Sequence, residues 1–270
     1  MNVRARNRLK NRLVAGEVAV VAAGHSGSAD TIDLLGGSGL DGFWIEGEHG
    51  PMAWERIGDQ SRAADLWGMA ALVRVPRLDP SLITRALSLG AHGIVVPGVR
   101  SAEEARAVVR AVKFAPLGER GVTAGRRSYA RSDYLVNENN ETVVVVQLED
   151  PEALAAAAEI ASVEHLDVAM VAQNDLAQSM GHLGRPDHPE VQAAMTDAFR
   201  RIAASGGAAA GANAARADVA RVVGLGVRFL YVNYDSWLLS AAQDYLGAAR
   251  AAPTDPDDQV DPTTLLKGAS

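Results

Sequence analysis

The chain has no cysteine among its 270 residues, which excludes disulfides, thiolate metal sites and cysteine nucleophiles. It also lacks any uninterrupted apolar run of about 18 residues, so no membrane span is expected. Its net charge of −7 argues against general nucleic-acid binding, which needs a basic face. The basic segment Met1–Arg8 is not followed by the apolar core and cleavage site of a signal peptide. These absences favour a cytoplasmic protein that binds neither nucleic acid nor membrane.

Three common catalytic motifs are missing as well. No Gly-x-Gly-x-x-Gly follows the first apolar run, which weakens a dinucleotide-binding hypothesis. There is no His-Glu-x-x-His and no Gly-x-Ser-x-Gly, so zinc peptidase and serine hydrolase readings have little support.

What the chain does contain is a regular alternation of short apolar runs and helical patterns. Because several runs are apolar at nearly every position, they are typical of parallel strands covered on both faces. Eight such units favour a closed (β/α)8 TIM barrel within α/β architecture, and barrels of about 250 residues form one domain. The predicted strands are Val18–Ala23, Gly42–Ile45, Ala70–Val75, Gly93–Pro97, Thr142–Leu148, Leu166–Ala172, Ala208–Ala212 and Phe229–Val232. The predicted helices between them are Ser81–Leu89, Ala102–Val112, Pro151–Ser162, Pro189–Ser205 and Ala215–Leu225.

Two regions fall outside this alternation. The interval Lys113–Glu141 is predicted to be a long irregular loop, whose basic cluster Arg126–Arg131 either meets an anionic substrate or a neighbouring subunit or is simply solvated. Residues 251–270 are polar and rich in proline, so we expect a flexible tail after a barrel domain at residues 1–250.

The segment Gly42–Pro51 is the most informative for function. Its apolar strand ends in Glu46, Glu48 and His49. Buried charges cost several kcal/mol unless they are paired, so a core strand has no structural use for this group. In parallel α/β proteins the carboxyl ends of the strands carry the active site. The segment is therefore a candidate catalytic wall.

Two further strand ends supply carboxylates. Gln147 and Glu149 lie two residues apart and face the same side, at the barrel mouth, where Glu149 is a candidate hard-metal ligand. The alternative is that Glu149 begins the next helix, although Asp150 suits that cap better. Asn174 and Asp175 either cap a short helix or contribute a second carboxylate. Together the two carboxylates could hold Mg²⁺ or Mn²⁺.

Arginine is rare within an apolar run, and Arg74 ends the third strand. A guanidinium at that point could clamp a carboxylate or stabilise an enolate oxygen. The other histidines are weaker candidates: His25, His182 and His188 are expected to border the mouth, and His92 and His165 the opposite end.

Taken in chain order, these residues resemble the HpcH/HpaI aldolase family, the metal-dependent (class II) pyruvate aldolases related to citrate lyase β-subunits and macrophomate synthase. The resemblance extends from about Asn7 to about Leu246. It rests on a set of motifs in this order: Glu48-His49, Arg74, Gln147-x-Glu149 and Asn174–Gly181. The segment Gly90–Pro97 also resembles the fourth strand of the family.

The resemblance implies a role for each site residue. Glu149 and Asp175 would bind Mg²⁺, Mn²⁺ or Co²⁺, which would hold the carboxylate and keto oxygens of a 2-oxo acid. Arg74 would neutralise the enolate oxygen, His49 would relay a proton and Gln147 would orient substrate or water. Asn174, Glu46 and Glu48 are the other expected substrate contacts. The family also implies a trimer of dimers that exchanges the last helix, here Trp237–Ala249.

Four positions depart from the family pattern: Glu46 replaces an aspartate, Ser88 an aspartate that supports the histidine, Ala172-Gln173 a Gly-Pro pair, and Asn233–Asp235 a smaller turn. Because the metal and arginine residues match the family, the resemblance still implies a metal-dependent carbon–carbon lyase. It would cleave or form 4-hydroxy-2-oxo acids, with pyruvate (or a similar 2-oxo acid) and an aldehyde as the other partners. The alternatives are a 2-oxo acid decarboxylase, a macrophomate-synthase-like enzyme, and a non-catalytic barrel that only binds ligands.

Overall fold

The computed structural model, which describes residues 7–24, 27–50, 53–123, 125–129 and 131–251, contains eight parallel strands that close into a barrel in chain order. The predicted TIM barrel is confirmed, and every predicted strand agrees with an observed one to within two residues at each end. The strands are β1 (Ala19–Ala23), β2 (Gly42–Glu46), β3 (Ala70–Arg74), β4 (Gly93–Val96), β5 (Val143–Leu148), β6 (Val168–Val171), β7 (Ala209–Asn213) and β8 (Val227–Asn233).

Alternate side chains of the strands fill the barrel interior. Trp44, Leu72, Val145 and Phe229 belong to this buried core. The residue two positions further along each of these strands faces the same side, closer to the carboxyl end. The core therefore lies directly beneath a tier formed by these next residues: Glu46, Arg74, Gln147 and Tyr231.

Helices surround the strands, and several begin as the sequence predicts. Asp79 and Ser101 cap their helices by accepting backbone N–H groups, and the helix after Pro189 ends at Gly206 with φ of 69°. The helices are α1 (Arg8–Val14), α2 (Ala29–Gly36), α3 (Ile57–Leu66), α4 (Pro80–Ser88), α5 (Ala102–Val112), α6 (Tyr134–Glu141), α7 (Pro151–Ala155), α8 (Ala157–Ala161), α9 (Gln173–Ser179), α10 (Pro189–Ser205), α11 (Val219–Gly224) and α12 (Tyr234–Ala251).

The interval Lys113–Glu141 is more ordered than predicted, because it contains a short 3-10 turn, Arg126–Ser128, and helix α6. Its order comes from tertiary contacts. The Lys113 Nζ donates to the backbone oxygen of Asn139 at 2.7 Å, and Arg127 donates to the buried carboxylate of Glu138 at 2.8 Å. Such long-range pairs leave no local periodic signal in the sequence, so the expectation of an irregular loop was wrong for this helix.

Helix α12 belongs to a second unit of the chain that begins at Asn233, after the barrel unit that ends at Val232. The helix carries several exposed apolar side chains, among them Trp237, Leu238 and Tyr245. Of the predicted tail at residues 251–270, only Ala251 is among the described residues. Among the described residues, no helix combines the length and the hydropathy needed to cross a bilayer.

At the amino-terminal end of the barrel, His92 is buried in a fixed hydrogen-bonded arrangement. Its Nδ1 accepts the backbone N–H of Ala71 at 3.1 Å, and its Nε2 lies 2.7 Å from Asp65. Arg126 donates to the other Asp65 oxygen at 2.6 Å. Burial, together with the nearby charge of Arg127, lowers the pKa of His92 to about 4, although Asp65 acts in the opposite direction. The imidazole is therefore neutral in the folded protein at neutral pH.

This arrangement predicts a loss of stability in mild acid. Because the folded pKa of His92 lies below its unfolded value of about 6.5, its contribution is complete above that value and is lost as the pH falls towards about 4. Linkage gives a decrease of about 2 kcal/mol in the free energy of unfolding between about pH 8 and about pH 5. Urea titrations at both pH values measure it. In His92→Gln the decrease should be smaller by this amount; an equal decrease in both proteins would contradict the assignment.

Candidate active site

The predicted functional side chains come from the carboxyl ends of four strands, β2, β3, β5 and β6. Glu46 and Arg74 are the last residues of β2 and β3, and their backbones are paired in the barrel. Gln147 is inside β5, Glu149 follows that strand directly, and Asp175 lies in the first turn of α9 after β6. The closed barrel thus brings to one end residues that are more than a hundred positions apart in the sequence.

Arg74 is the centre of this cluster. Its Nε lies 2.9 Å from Glu46 Oε2 and 3.1 Å from Oε1. Its Nη1 lies 3.0 Å from Glu48 Oε2 and donates to Gln147 Oε1 at 3.3 Å. The Arg74 and Glu46 side chains are each only 13% exposed. Burial opposes the charge, but Glu46 and Glu48 raise the pKa of Arg74. The guanidinium is held as a fixed, fully charged group.

Glu46 also shapes the loop that carries His49. Its Oε1 accepts the backbone N–H of Glu48 at 2.7 Å and that of His49 at 3.1 Å. Although burial acts against ionisation, the bonds from Arg74 and the loop lower the pKa of Glu46. One carboxylate therefore fixes both the guanidinium and the start of the histidine loop.

Three carboxylates form an anionic group beside Arg74. Burial, with the nearby charges of Asp175 and Glu48, raises the pKa of Glu149 to about 7. Burial likewise raises the pKa of Glu48, although Arg74 and His49 act against the rise. Beyond burial, the negative charges of Glu48, Glu149 and Asp175 disfavour one another's ionisation.

The helix caps separate two alternatives that the sequence leaves open. Asp150, not Glu149, is the N-cap of α7, and its carboxylate accepts the N–H of Ala153 at 2.8 Å. Helix α9 has Ala172 at its N-cap and no side-chain cap bond, so Asp175 is not a capping residue. Neither Glu149 nor Asp175 is therefore used as a helix cap, and Asn174 is exposed in the same turn as Asp175.

His49 lies at the rim, and its side chain is 64% exposed. Its Nε2 is 3.7 Å from Glu48 Oε2, which is too long for a hydrogen bond but close enough for electrostatic attraction. Ser88 Oγ donates to the backbone oxygen of Thr84 at 2.8 Å, so this hydroxyl is used within its own helix. The acidic neighbour of His49 in this chain is thus Glu48.

Two aromatic side chains of this region were missed by sequence reasoning. Trp44 lies beneath Glu46 on β2, and Tyr231 lies above Phe229 on β8. Their rings meet edge to face with centroids 4.8 Å apart. The signal was the two-residue spacing on each strand, which puts Trp44 and Glu46, or Phe229 and Tyr231, on one face.

The other candidate histidines form a different kind of cluster. Possible ligand atoms of His182, His188 and Glu190 lie within 4.8 Å of one another. However, the two imidazole rings stack with centroids 3.6 Å apart and 16° between their planes. A nitrogen lone pair lies in the plane of its ring, so nearly parallel stacked rings cannot direct two lone pairs to one ion. Since His188 Nδ1 accepts the N–H of Glu190, we interpret the cluster as the N-cap of α10.

Two further residues lie apart from this site. His92 is buried at the other end of the barrel, where it contacts Ala71 and Asp65. Arg77, which follows the third strand, is exposed and paired with Asp79. His25 lies outside the described residues.

A closed parallel barrel with acid, base and guanidinium groups at the carboxyl ends of its strands has the organisation of a barrel enzyme. Residues 25–241 match the family described as HpcH/HpaI aldolase/citrate lyase, so the chain belongs to this family and is a lyase.

Relatives that align over most of the chain are aldolases by name. A 4-hydroxy-2-oxo-heptane-1,7-dioate aldolase of Klebsiella pneumoniae is 35% identical over 246 residues, covering 90% of this chain and 93% of the relative. A hydroxypyruvate/pyruvate aldolase of Pseudomonas aeruginosa is 36% identical, covering 86% and 88%. The crystal structure of a family member from Burkholderia cenocepacia superposes with a TM-score of 0.83 at 33% identity, covering 91% of this chain and 100% of that one.

Proposed function

We propose that this lyase is a divalent-metal-dependent aldolase that cleaves or forms 4-hydroxy-2-oxo acids, with pyruvate or a similar 2-oxo acid and an aldehyde as partners. The observation that carries the proposal is the fixed guanidinium of Arg74 beside the carboxylates of Glu48, Glu149 and Asp175. The names of the two aldolase relatives support the substrate class.

The donor set fits a hard divalent cation. Glu149 and Asp175 offer only oxygen ligands, which suit Mg²⁺, Mn²⁺ or Co²⁺ completed by water. Burial and the charges of Asp175 and Glu48 raise the pKa of Glu149, and a bound divalent cation would favour its ionised form. When bound, the ion would act as a Lewis acid towards the 2-oxo acid.

Arg74 has the geometry to stabilise developing negative charge. When the C3–C4 bond of the substrate breaks, its electron pair forms the C2=C3 bond and the carbonyl pair moves onto the C2 oxygen, which gives an enolate. A guanidinium already oriented by Glu46 and Gln147 meets that charge without reorganising during the reaction. We assign Arg74 to the enolate oxygen, Gln147 to the orientation of Arg74 and substrate, and Asn174 to the substrate at the rim.

His49 is the group we assign to proton transfer. In the cleavage direction its imidazole accepts the proton of the C4 hydroxyl as the aldehyde carbonyl forms, and in the synthetic direction it returns that proton. Its exposed position suits contact with the aldehyde half of the substrate or with a bridging water. Glu46 sets the loop on which the imidazole stands, and Glu48 supplies its negative neighbour.

Release of pyruvate from a 4-hydroxy-2-oxo acid tests the proposal. Turnover should require Mg²⁺, Mn²⁺ or Co²⁺ and stop when a chelator is added. Trapping of a lysine Schiff base by borohydride would overturn the metal mechanism. Decarboxylation of oxaloacetate without aldol cleavage would favour the decarboxylase alternative, and the absence of both reactions with every metal would favour a binding protein.

Replacing His49 should separate two reactions of the same site. In His49→Ala we expect retro-aldol turnover to fall by about 10²–10⁴-fold, the usual contribution of a general acid–base. Decarboxylation of oxaloacetate should persist, because it needs no proton from a C4 hydroxyl. Steady-state assays of both reactions measure this. His182→Ala is a matched control that should keep both activities, and an equal loss of both in His49→Ala would contradict the relay role.

We also propose that helix α12 is exchanged between subunits in a trimer of dimers. The exposed apolar side chains of this helix, including Trp237, Leu239 and Leu246, support an oligomer because they would be buried by a partner. The mass of the protein in solution, measured by light scattering after size-exclusion chromatography, tests it. A monomer would exclude the exchange.

A further inference from the structure

Two aromatic side chains lie inside the barrel near Arg74: Trp44 is one tier below it and Tyr231 is in the same tier. Trp44 is 1% exposed and belongs to the core. Tyr231 packs against that core but keeps part of its surface accessible. A side chain that is packed on one side and open on the other at the carboxyl end of a barrel strand is placed to line the ligand pocket.

The contacts connect this pair to the charged site. The ring of Tyr231 meets the ring of Trp44 edge to face, at 4.8 Å and with 71° between the planes. The guanidinium carbon of Arg74 lies 5.6 Å from the Trp44 ring centroid. Although burial opposes the charge, Glu46, Glu48 and also Tyr231 raise the pKa of Arg74. Trp44 therefore lies one tier below Arg74 and Tyr231, and the three side chains are near neighbours.

We propose that the Trp44–Tyr231 pair is the floor of the 2-oxo acid pocket and that Tyr231 is a specificity-determining residue, which limits the substituent at C3 of the 2-oxo acid to a small group. The proposal rests on the aldolase function above. Tyr231 would favour pyruvate, or a 2-oxo acid of similar size, over 2-oxo acids with a longer aliphatic chain.

The limit comes from volume and not from the phenol hydroxyl. Two aromatic rings in edge-to-face contact have well-defined positions, and close-packed interiors yield little to an added methylene. One methylene more or less in such a pocket typically changes kcat/KM by about 10–200-fold. Removing the ring of Tyr231 should therefore extend the pocket towards Trp44.

Exchange of the C3 hydrogens for deuterium, followed by proton NMR, tests the floor without needing to know the aldehyde. The substrates are pyruvate, 2-oxobutanoate and 2-oxopentanoate, with saturating Mg²⁺ or Mn²⁺. In Tyr231→Ala the exchange rate of the longer acids relative to pyruvate should rise by at least about tenfold. In Tyr231→Phe the ratio should equal that of the wild type, and Tyr231→Leu should be intermediate.

Controls keep the outcomes separate. Tyr129→Ala, which removes an exposed tyrosine outside the barrel, should leave the ratio unchanged, and urea unfolding shows whether each variant is folded. If the wild type exchanges no hydrogen of pyruvate, the aldolase function itself fails. If it does, an unchanged ratio in folded Tyr231→Ala and Tyr231→Leu overturns the floor, as does a Tyr231→Phe ratio shifted as far as that of Tyr231→Ala.

Discussion

Glu149→Gln should lose aldolase activity almost completely and lose its response to divalent metal at the same time. The substitution keeps the shape of the side chain but removes the negative charge on which a hard cation depends. Lewis-acid catalysis supplies several kcal/mol of transition-state stabilisation, so we expect kcat/KM to fall on the order of 10³-fold. Metal titration by calorimetry and the pyruvate-release assay measure the two losses.

Thermal unfolding of the same variant gives a second signature. Because burial and the charges of Asp175 and Glu48 oppose ionisation of Glu149, the neutral amide should make the metal-free protein no less stable than the wild type. Added Mn²⁺ should raise the unfolding temperature of the wild type and leave that of Glu149→Gln unchanged. A protein that simply misfolds would instead show a lower temperature without metal.

The neighbouring residue provides the matched control. Asp150→Asn removes a carboxylate one position away, at a helix cap where asparagine serves nearly as well. This variant should keep both activity and the metal response. If Glu149→Gln bound Mn²⁺ with wild-type affinity, Glu149 would not be a metal ligand.

The barrel could be predicted because its strands are marked locally. Runs such as Val143–Leu148 are apolar on both faces, and cap residues such as Asp79 mark the helix starts. The helix Tyr134–Glu141 could not be predicted, because its sequence has three asparagines and a weak apolar face. It is stabilised instead by contacts with residues such as Lys113 and Arg127. The predicted helix Pro151–Ser162 is likewise divided at Ala156, where no side chain signals the break.

The candidate site shows the same division between what is local and what is not. The side of β5 that carries Gln147 follows from two-residue periodicity, and the ordered set of residues placed Arg74 near it. Glu46 binds Arg74 and also accepts two N–H groups of the histidine loop. These contacts depend on three-dimensional distances that the sequence does not contain. Glu46 is one methylene longer than the aspartate of the family pattern, and in this chain that length spans from β2 to the guanidinium on β3.

Arg74→Lys should lower the rates of both aldol cleavage and oxaloacetate decarboxylation. His49→Ala, in contrast, should lower only the rate of aldol cleavage. Lysine preserves the positive charge but cannot reproduce the planar fork that meets Glu46 and Gln147 at once. Loss of one oriented donor to a developing oxyanion typically costs about 10²–10³ in kcat. Because aldol cleavage and oxaloacetate decarboxylation pass through the same enolate charge, both should fall by this factor.

Parallel assays of the two reactions in Arg74→Lys, His49→Ala and the wild type provide the comparison. Arg77→Lys serves as the control, since Arg77 is an exposed arginine just past the same strand and should tolerate the change. Urea unfolding accounts for any instability left by the weaker partner of Glu46. If Arg74→Lys slowed aldol cleavage but left decarboxylation at the wild-type rate, the guanidinium would act on the aldehyde half of the substrate. In that case Arg74 would not stabilise the enolate. Among the described residues, no other fixed positive charge lies between Glu46, Glu48 and Gln147 to take its place.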